Sequence, residues 1–146
     1  MKALTLTQPW ATLVAIGAKR IETRSWSTVY RGPLAIHAAK GFPDWARRMC
    51  NLSVFADALE TNGISYPNDL PLGVVVCTVE LDIVEQITMF TELPPDPEFK
   101  FGDYTTGRFM WRLINLKRLP SPISAKGSLS LWEWRDADGN VPIGHK

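Results

Sequence analysis

Three kinds of apolar pattern run along this chain, and each predicts a different element. Residues 3–6 form a short apolar stretch read as a strand ending at Thr7. Trp10, Leu13, Val14 and Gly17 then recur at helical spacing. Pro9 falls in the first turn, where its missing N–H costs nothing, Thr7 is placed to cap, and Gly17 is suited to end the helix. Residues 19–24 follow as a turn or short extended piece, and residues 33–38 as a strand punctuated by Gly32-Pro33. Over residues 44–59, Trp45, Met49, Leu52, Phe55, Ala56 and Leu59 mark one amphipathic helix. After a loop over 62–71, residues 72–84 carry the strongest strand pattern. Its Val74-Val75-Val76-Cys77 run reads as central and buried on both faces, before alternation takes over at Thr78-Val79-Glu80-Leu81. Residues 92–107, with Pro94, Pro95, Pro97 and four acidic side chains, read as a mobile surface loop. Strands are expected again over 108–119, with mixed burial, and over 129–134. Four or five strands with two helices predict an α+β domain whose mixed sheet curls into a small β-barrel with flanking helices.

A chain of 146 residues fits one domain, long enough to bury a core of its own. It contains no run of eighteen apolar residues, so no membrane span and no membrane partner is expected. Its first residues lack the basic, apolar and cleavage-site series of a secretion signal. Cys50 and Cys77 have no metal-ligand spacing and read as buried free thiols in a reducing, cytoplasmic setting. Neither a metal cluster nor a glycine-rich phosphate loop is visible, and no cofactor is expected. No Ser-His-Asp or Cys-His arrangement has a supporting motif.

Charge changes the picture more than composition does. Net charge is +1, but residues 1–50 carry eight Lys/Arg against two Asp/Glu, residues 51–103 one against ten, and residues 104–146 seven against three. If the two basic ends meet in space, they form a positive face that attracts phosphate. Even mixing of the charges on folding, or pairing of the acidic middle with the ends, fits the same counts. Six Trp supply candidate stacking planes, although Trp10, Trp45, Trp111 and Trp132 read first as packing residues.

The densest chemistry lies in Gly17-Ala18-Lys19-Arg20-Ile21-Glu22-Thr23-Arg24. In an extended segment Glu22 and Arg24 share a face, so Arg24 can hold the Glu22 carboxylate by charge-assisted hydrogen bonds. A carboxylate so fixed can accept from the exocyclic amine of a base. Lys19 is left as a mobile positive point for a phosphate or carbonyl oxygen, and Trp26, one step further along the face, offers a stacking plane. A solvated hairpin with an ordinary ion pair fits the same spacing.

These residues carry a resemblance. Gln8-Pro9-Trp10-Ala11, the 17–26 segment, and Arg31-Gly32-Pro33-Leu34-Ala35-Ile36-His37-Ala38-Ala39-Lys40 closely resemble the ASCH (activating signal cointegrator homology) domains, a group within the PUA-like β-barrels. The family's G-x-K-x-x-E-x-R signature is met by Gly17, Lys19, Glu22 and Arg24. Later segments, among them Trp111-Arg112-Leu113 and residues 122–127, extend the resemblance over nearly the whole chain, outside the loops at 60–70 and 88–106. It implies a PUA-like barrel in which Lys19, Glu22 and Arg24 line a cleft between barrel and helix. It also implies an RNA- or DNA-related role, with Lys126-Gly127 as a flexible basic turn able to close over a phosphate. Some small ASCH relatives are amidohydrolases of acylated cytidine nucleosides, and others are linked to ribonuclease activity. The amidohydrolases place a threonine nucleophile where this chain has Glu22, and a carboxylate cannot replace an activated hydroxyl. Thr23 is adjacent but points to the opposite face of an extended segment.

Three readings follow. In the first, the domain binds RNA, single-stranded DNA or a nucleotide-like ligand, with Lys19, Arg24, Arg31 and Lys126 on phosphates and Glu22 and Trp26 on a base. In the second, it hydrolyses RNA or a modified nucleoside, Glu22 orienting water and Lys19 stabilising an oxyanion. His37 would assist such a step, or else serve as a structural histidine at a strand end. Glu80 would face the cleft or pair with a barrel arginine such as Arg112. In the third, the acidic segment 80–103 is a contact surface for a protein partner.

Overall fold

The computed structural model describes residues 1–143. Six strands, β1 (Lys2–Leu6), β2 (Ile21–Arg24), β3 (Gly32–Ala38), β4 (Val74–Gln86), β5 (Phe109–Ser124) and β6 (Trp132–Glu133), form one mixed sheet in the order β2-β5-β4-β3-β1-β6. β1 and β3 run parallel, and the other neighbours are antiparallel. Three helices, α1 (Trp10–Ala15), α2 (Asp44–Met49) and α3 (Ser53–Thr61), pack beside it. The α+β class therefore stands. Closure does not follow from the pairing, because β2 and β6 end the hydrogen-bonded order without meeting.

Side chains alternate along the central strands, and both faces are buried. Leu4 and Leu6 of β1 and Leu34 and Ile36 of β3 pack with Ala11, Val14 and Ala15 of α1. Ala3, Ala35 and Val75 sit in a second cluster under Trp134, with Leu119 and Ile123 against it. α1 is covered in turn, since Leu13 packs with Phe55, Leu59, Leu70 and Phe101. Each such side chain contributes roughly 1.5–3 kcal/mol by leaving water. Cys50 and Cys77 are both buried thiols, and burial pushes Cys77 up to about 12.

The structure departs from the pattern in four places. The expected helix over 44–59 breaks into α2 and α3, with Leu52 extended at ψ 139° between them. In an unbroken helix Ala46 and Phe55, nine residues apart, would point about 180° away from each other, as would Cys50 and Leu59. The break turns all four inward. At α1 it is Gln8 rather than Thr7 that caps. The Gln8 side-chain oxygen accepts from the Thr12 amide at 3.0 Å, and its Nε2 donates to Pro71 O at 2.9 Å. β5 runs on to Ser124 through Pro120 and Pro122, which is tolerated because past residue 113 only β4 pairs with it. Finally, the segment expected to be a mobile loop over 92–107 contains a 3-10 turn, Glu98–Phe101, that is fixed to β2 as described next.

Candidate functional site

Gly17, at φ +81°, ends α1 in the left-handed region, and the Ala18 and Lys19 amides both donate back to Leu13 O at 3.0 Å. The chain leaves this turn as β2, held to β5 in the register Glu22 with Trp111 and Arg24 with Phe109. Glu22 and Arg24 then fall on one side, as the spacing predicts. Arg24 Nε donates to Glu22 Oε2 at 2.8 Å, and Arg24 Nη2 donates to Thr5 O at 2.9 Å. One guanidinium thus fixes the carboxylate and ties β2 to the end of β1. Lys19 differs from its expected role. Only 1% exposed, its ammonium donates to Ile21 O at 2.5 Å and Phe101 O at 3.3 Å, and lies 3.4 Å from Glu22 Oε1. It is a buried counter-ion beneath Glu22 rather than a mobile positive point.

The wall opposite β2 is residues 98–103, attached at several points. The Glu98 carboxylate accepts from the Arg20 amide at 2.7 Å and the Ile21 amide at 3.3 Å. Burial pushes the Glu98 carboxyl up, opposed by those amide hydrogen bonds and by the charge of Lys19. Phe101 O accepts from Lys19 and also from Trp10 Nε1 at 2.8 Å. The Asp103 amide donates to Thr23 Oγ1 at 3.0 Å. Gly102 must approach closely here, because a Cβ would lie 2.9 Å from the Tyr104 ring and 3.2 Å from Thr23.

Between these walls lies an open cleft of about 640 Å3. Glu22, Arg24 and Trp26 line it, together with Trp10, Trp45 and Arg108. Trp26 rests edge-on against buried Trp111 at 4.9 Å and 83°. Trp45 is 54% exposed and its ring lies 5.8 Å from that of Trp10. Expected in the core, Trp45 instead presents an aromatic plane to the opening. The cleft therefore offers two aromatic walls, a carboxylate held by two cations, and a further guanidinium. Arg108 is held by Asp103 at 3.5 Å and donates to Thr23 O at 3.3 Å. Such a set suits a flat, partly polar ligand with an adjacent negative charge.

The ASCH domain model matches residues 4–122, a span that contains both walls of the cleft. The chain belongs to the ASCH domain family. It is 31% identical over 131 residues to "Activating signal cointegrator 1" of Mus musculus, and 30% identical over 131 residues to the Homo sapiens protein of the same name. These alignments cover 89% of this chain and 22% of each relative, so the chain spans less than a quarter of their length. ASCH domains are generally associated with RNA binding.

This ASCH domain gathers some of its sequence-predicted residues and separates others. Arg31 lies outside the cleft, its guanidinium donating to Thr28 O and Tyr30 O at 2.8 Å each. Lys126 lies beside a different cavity, with Thr5 and His37. His37 is 2% exposed and structural in its bonding. Its Nε2 donates to Ala125 O at 2.7 Å, which leaves Nδ1 to accept from the Thr5 hydroxyl at 3.1 Å. Burial lowers its pKa. Glu80 bonds Asn115 rather than Arg112. The residues missed by sequence reasoning are Trp45 and Arg108. Trp45 had no readable signal, since it keeps helical period with Met49 and Leu52, and only the structure shows that α2 buries Ala46 alone. Arg108 had none either.

Proposed function

We propose that this ASCH domain binds RNA or single-stranded nucleic acid by taking one base into the Glu22 cleft. The observation that carries the reading is the Glu22 carboxylate, 8% exposed and fixed by Arg24, at the edge of an opening walled by Trp26 and Trp45. A carboxylate has acceptors only, so it selects a base edge that bears an amine over one that bears a carbonyl. The tryptophans add stacking of about 1–3 kcal/mol per base. Arg24 and Arg108 bring positive charge next to the base. The same reading takes the sheet as a PUA-like barrel left open between β2 and β6, with Arg24 reaching across to Thr5. Nothing in the geometry favours the hydrolase alternative. The Lys19 ammonium is turned onto two carbonyls and Glu22, and the Thr23 hydroxyl is engaged by Asp103. The test is quenching of tryptophan fluorescence by mononucleotides and short oligonucleotides. Amine-bearing bases should bind more tightly than uracil, Glu22→Gln should erase that preference, and Trp45→Ala should weaken all bases by about tenfold, the effect of roughly 1.4 kcal/mol. Equal affinity for every base in the unmodified protein would overturn the assignment of Glu22 as reader.

A further inference from the structure

A second, larger cavity shares Thr5 with the cleft. It is an open groove of about 1080 Å3 between Lys40 and Gly73 on one bank and residues 124–129 on the other. Thr5 and His37 line its floor and are held in a series of hydrogen bonds. Trp132 Nε1 donates to Thr5 Oγ1 at 3.0 Å, the Thr5 hydroxyl donates to His37 Nδ1 at 3.1 Å, and His37 Nε2 donates to Ala125 O at 2.7 Å. Gly127 lets the second bank lie directly on that floor. A Cβ there would come within 2.7 Å of His37 Cε1 and 2.8 Å of Thr5 Oγ1.

The groove's charge is one-sided. Lys40 and Lys126 are both exposed on its banks, and among the described residues no carboxylate lines it. Neither lysine forms an ion pair among the described residues. By contrast, the cleft's cations Arg24, Lys100 and Arg108 are each paired with a carboxylate. Unpaired cations over a hydrogen-bonded floor suit a phosphodiester chain, and the exposed Leu72 and Leu129 can cover the apolar faces of its sugars. Thr5 joins the two cavities, since its carbonyl holds Arg24 of the cleft and its hydroxyl belongs to the groove floor.

We infer that the groove carries the backbone of the same single strand whose base enters the Glu22 cleft, with Lys40 and Lys126 on successive phosphates. This rests on the proposed nucleic-acid reading and extends it from one nucleotide to a short track. The ligand is then an oligonucleotide, and affinity must grow with length.

The experiment measures binding of a mononucleotide and of two-, four- and eight-nucleotide single strands, as RNA and as DNA, over a range of salt. Four proteins are compared: unmodified, Lys40→Ala/Lys126→Ala, Lys117→Ala/Arg118→Ala, and Glu22→Gln. In the unmodified protein affinity should rise over the first few nucleotides. The Lys40/Lys126 variant should lose that rise, and its slope of log affinity against log salt should be shallower by about 1.4, the value for two single-strand phosphates. Its mononucleotide binding should be unchanged. Lys117 and Arg118 are exposed on β5 outside the groove, so removing the same charge there should leave the length dependence intact. Mononucleotide binding with no gain from length, or an equal effect of both charge-removing pairs, overturns the track while leaving the cleft standing. Length dependence that needs Lys40 and Lys126, together with a base preference that Glu22→Gln leaves unaltered, sinks the cleft reading and keeps the groove as a phosphate track.

Discussion

The Lys19 ammonium has three donors, and all three are directed at protein atoms: Ile21 O, Phe101 O and the Glu22 carboxylate. Its work is to make a buried carboxylate tolerable. Removing one partner of a buried pair leaves the other charge uncompensated, which typically costs about 3–5 kcal/mol. Lys19→Met should therefore lower the urea midpoint strongly, with Glu22→Gln in the same chain recovering part of the loss. A Lys19→Met protein of unchanged midpoint would show that the ammonium is dispensable to the fold. His37 makes a second, pH-dependent test. Burial lowers its pKa in the folded state, so the unfolded chain binds its proton first as pH falls. The associated stability is whole above the ordinary histidine value of about 6.5 and drains away below it. The drop in Tm between pH 7.5 and 5.5 should be smaller in His37→Gln than in the unmodified chain. At this scale the sequence made the Glu22–Arg24 pair legible, because both partners lie two residues apart on one strand. It hid the burial of Lys19, because the acceptor that draws the ammonium inward is Phe101 O, 82 residues away.

Between residue and molecule, two short segments make the candidate binding surface, and neither is regular. Residues 98–103 form one wall through backbone and side-chain bonds to Arg20, Ile21, Trp10, Lys19 and Thr23. Residues 124–129 form the bank of the groove and lie on His37 because residue 127 has no side chain. Gly127→Ala should destabilise the protein by roughly 1–3 kcal/mol, since the clash is with a buried, hydrogen-bonded imidazole rather than a flexible tip. Loss of His37 imidazole protection in NMR would accompany it, whereas an unaltered urea midpoint would mean that the segment yields freely. The strands over 33–38 and 72–84 and the helix stop at Gly17 were readable from period and from glycine. The break between α2 and α3 was not, because Trp45, Met49, Leu52, Ala56 and Leu59 keep perfect helical period across it. What decides is which side meets the core, and there Ala46 and Cys50 are buried while Trp45 and Leu52 are left exposed.

For the whole molecule, the segregation of charge along the chain survives folding only in part. Glu98 turns inward onto β2, Asp103 holds Arg108, and Glu133 holds Lys2 and the N-terminus. Asp82 and Glu85 remain exposed on β4, outside the lining of both the cleft and the groove. Charges outside a contact act on encounter rather than on the bound state, and they do so within a screening length of about 8–10 Å at ordinary salt. Asp82→Lys/Glu85→Lys should then speed association with a single strand by on the order of a few-fold at low salt. The gain should vanish as salt is raised, with the dissociation rate unchanged throughout. Stopped-flow tryptophan fluorescence separates the two rates. A slower dissociation would instead place the strand on β4 itself, and the track from Glu22 through Thr5 to Lys126 would have to be redrawn along that strand.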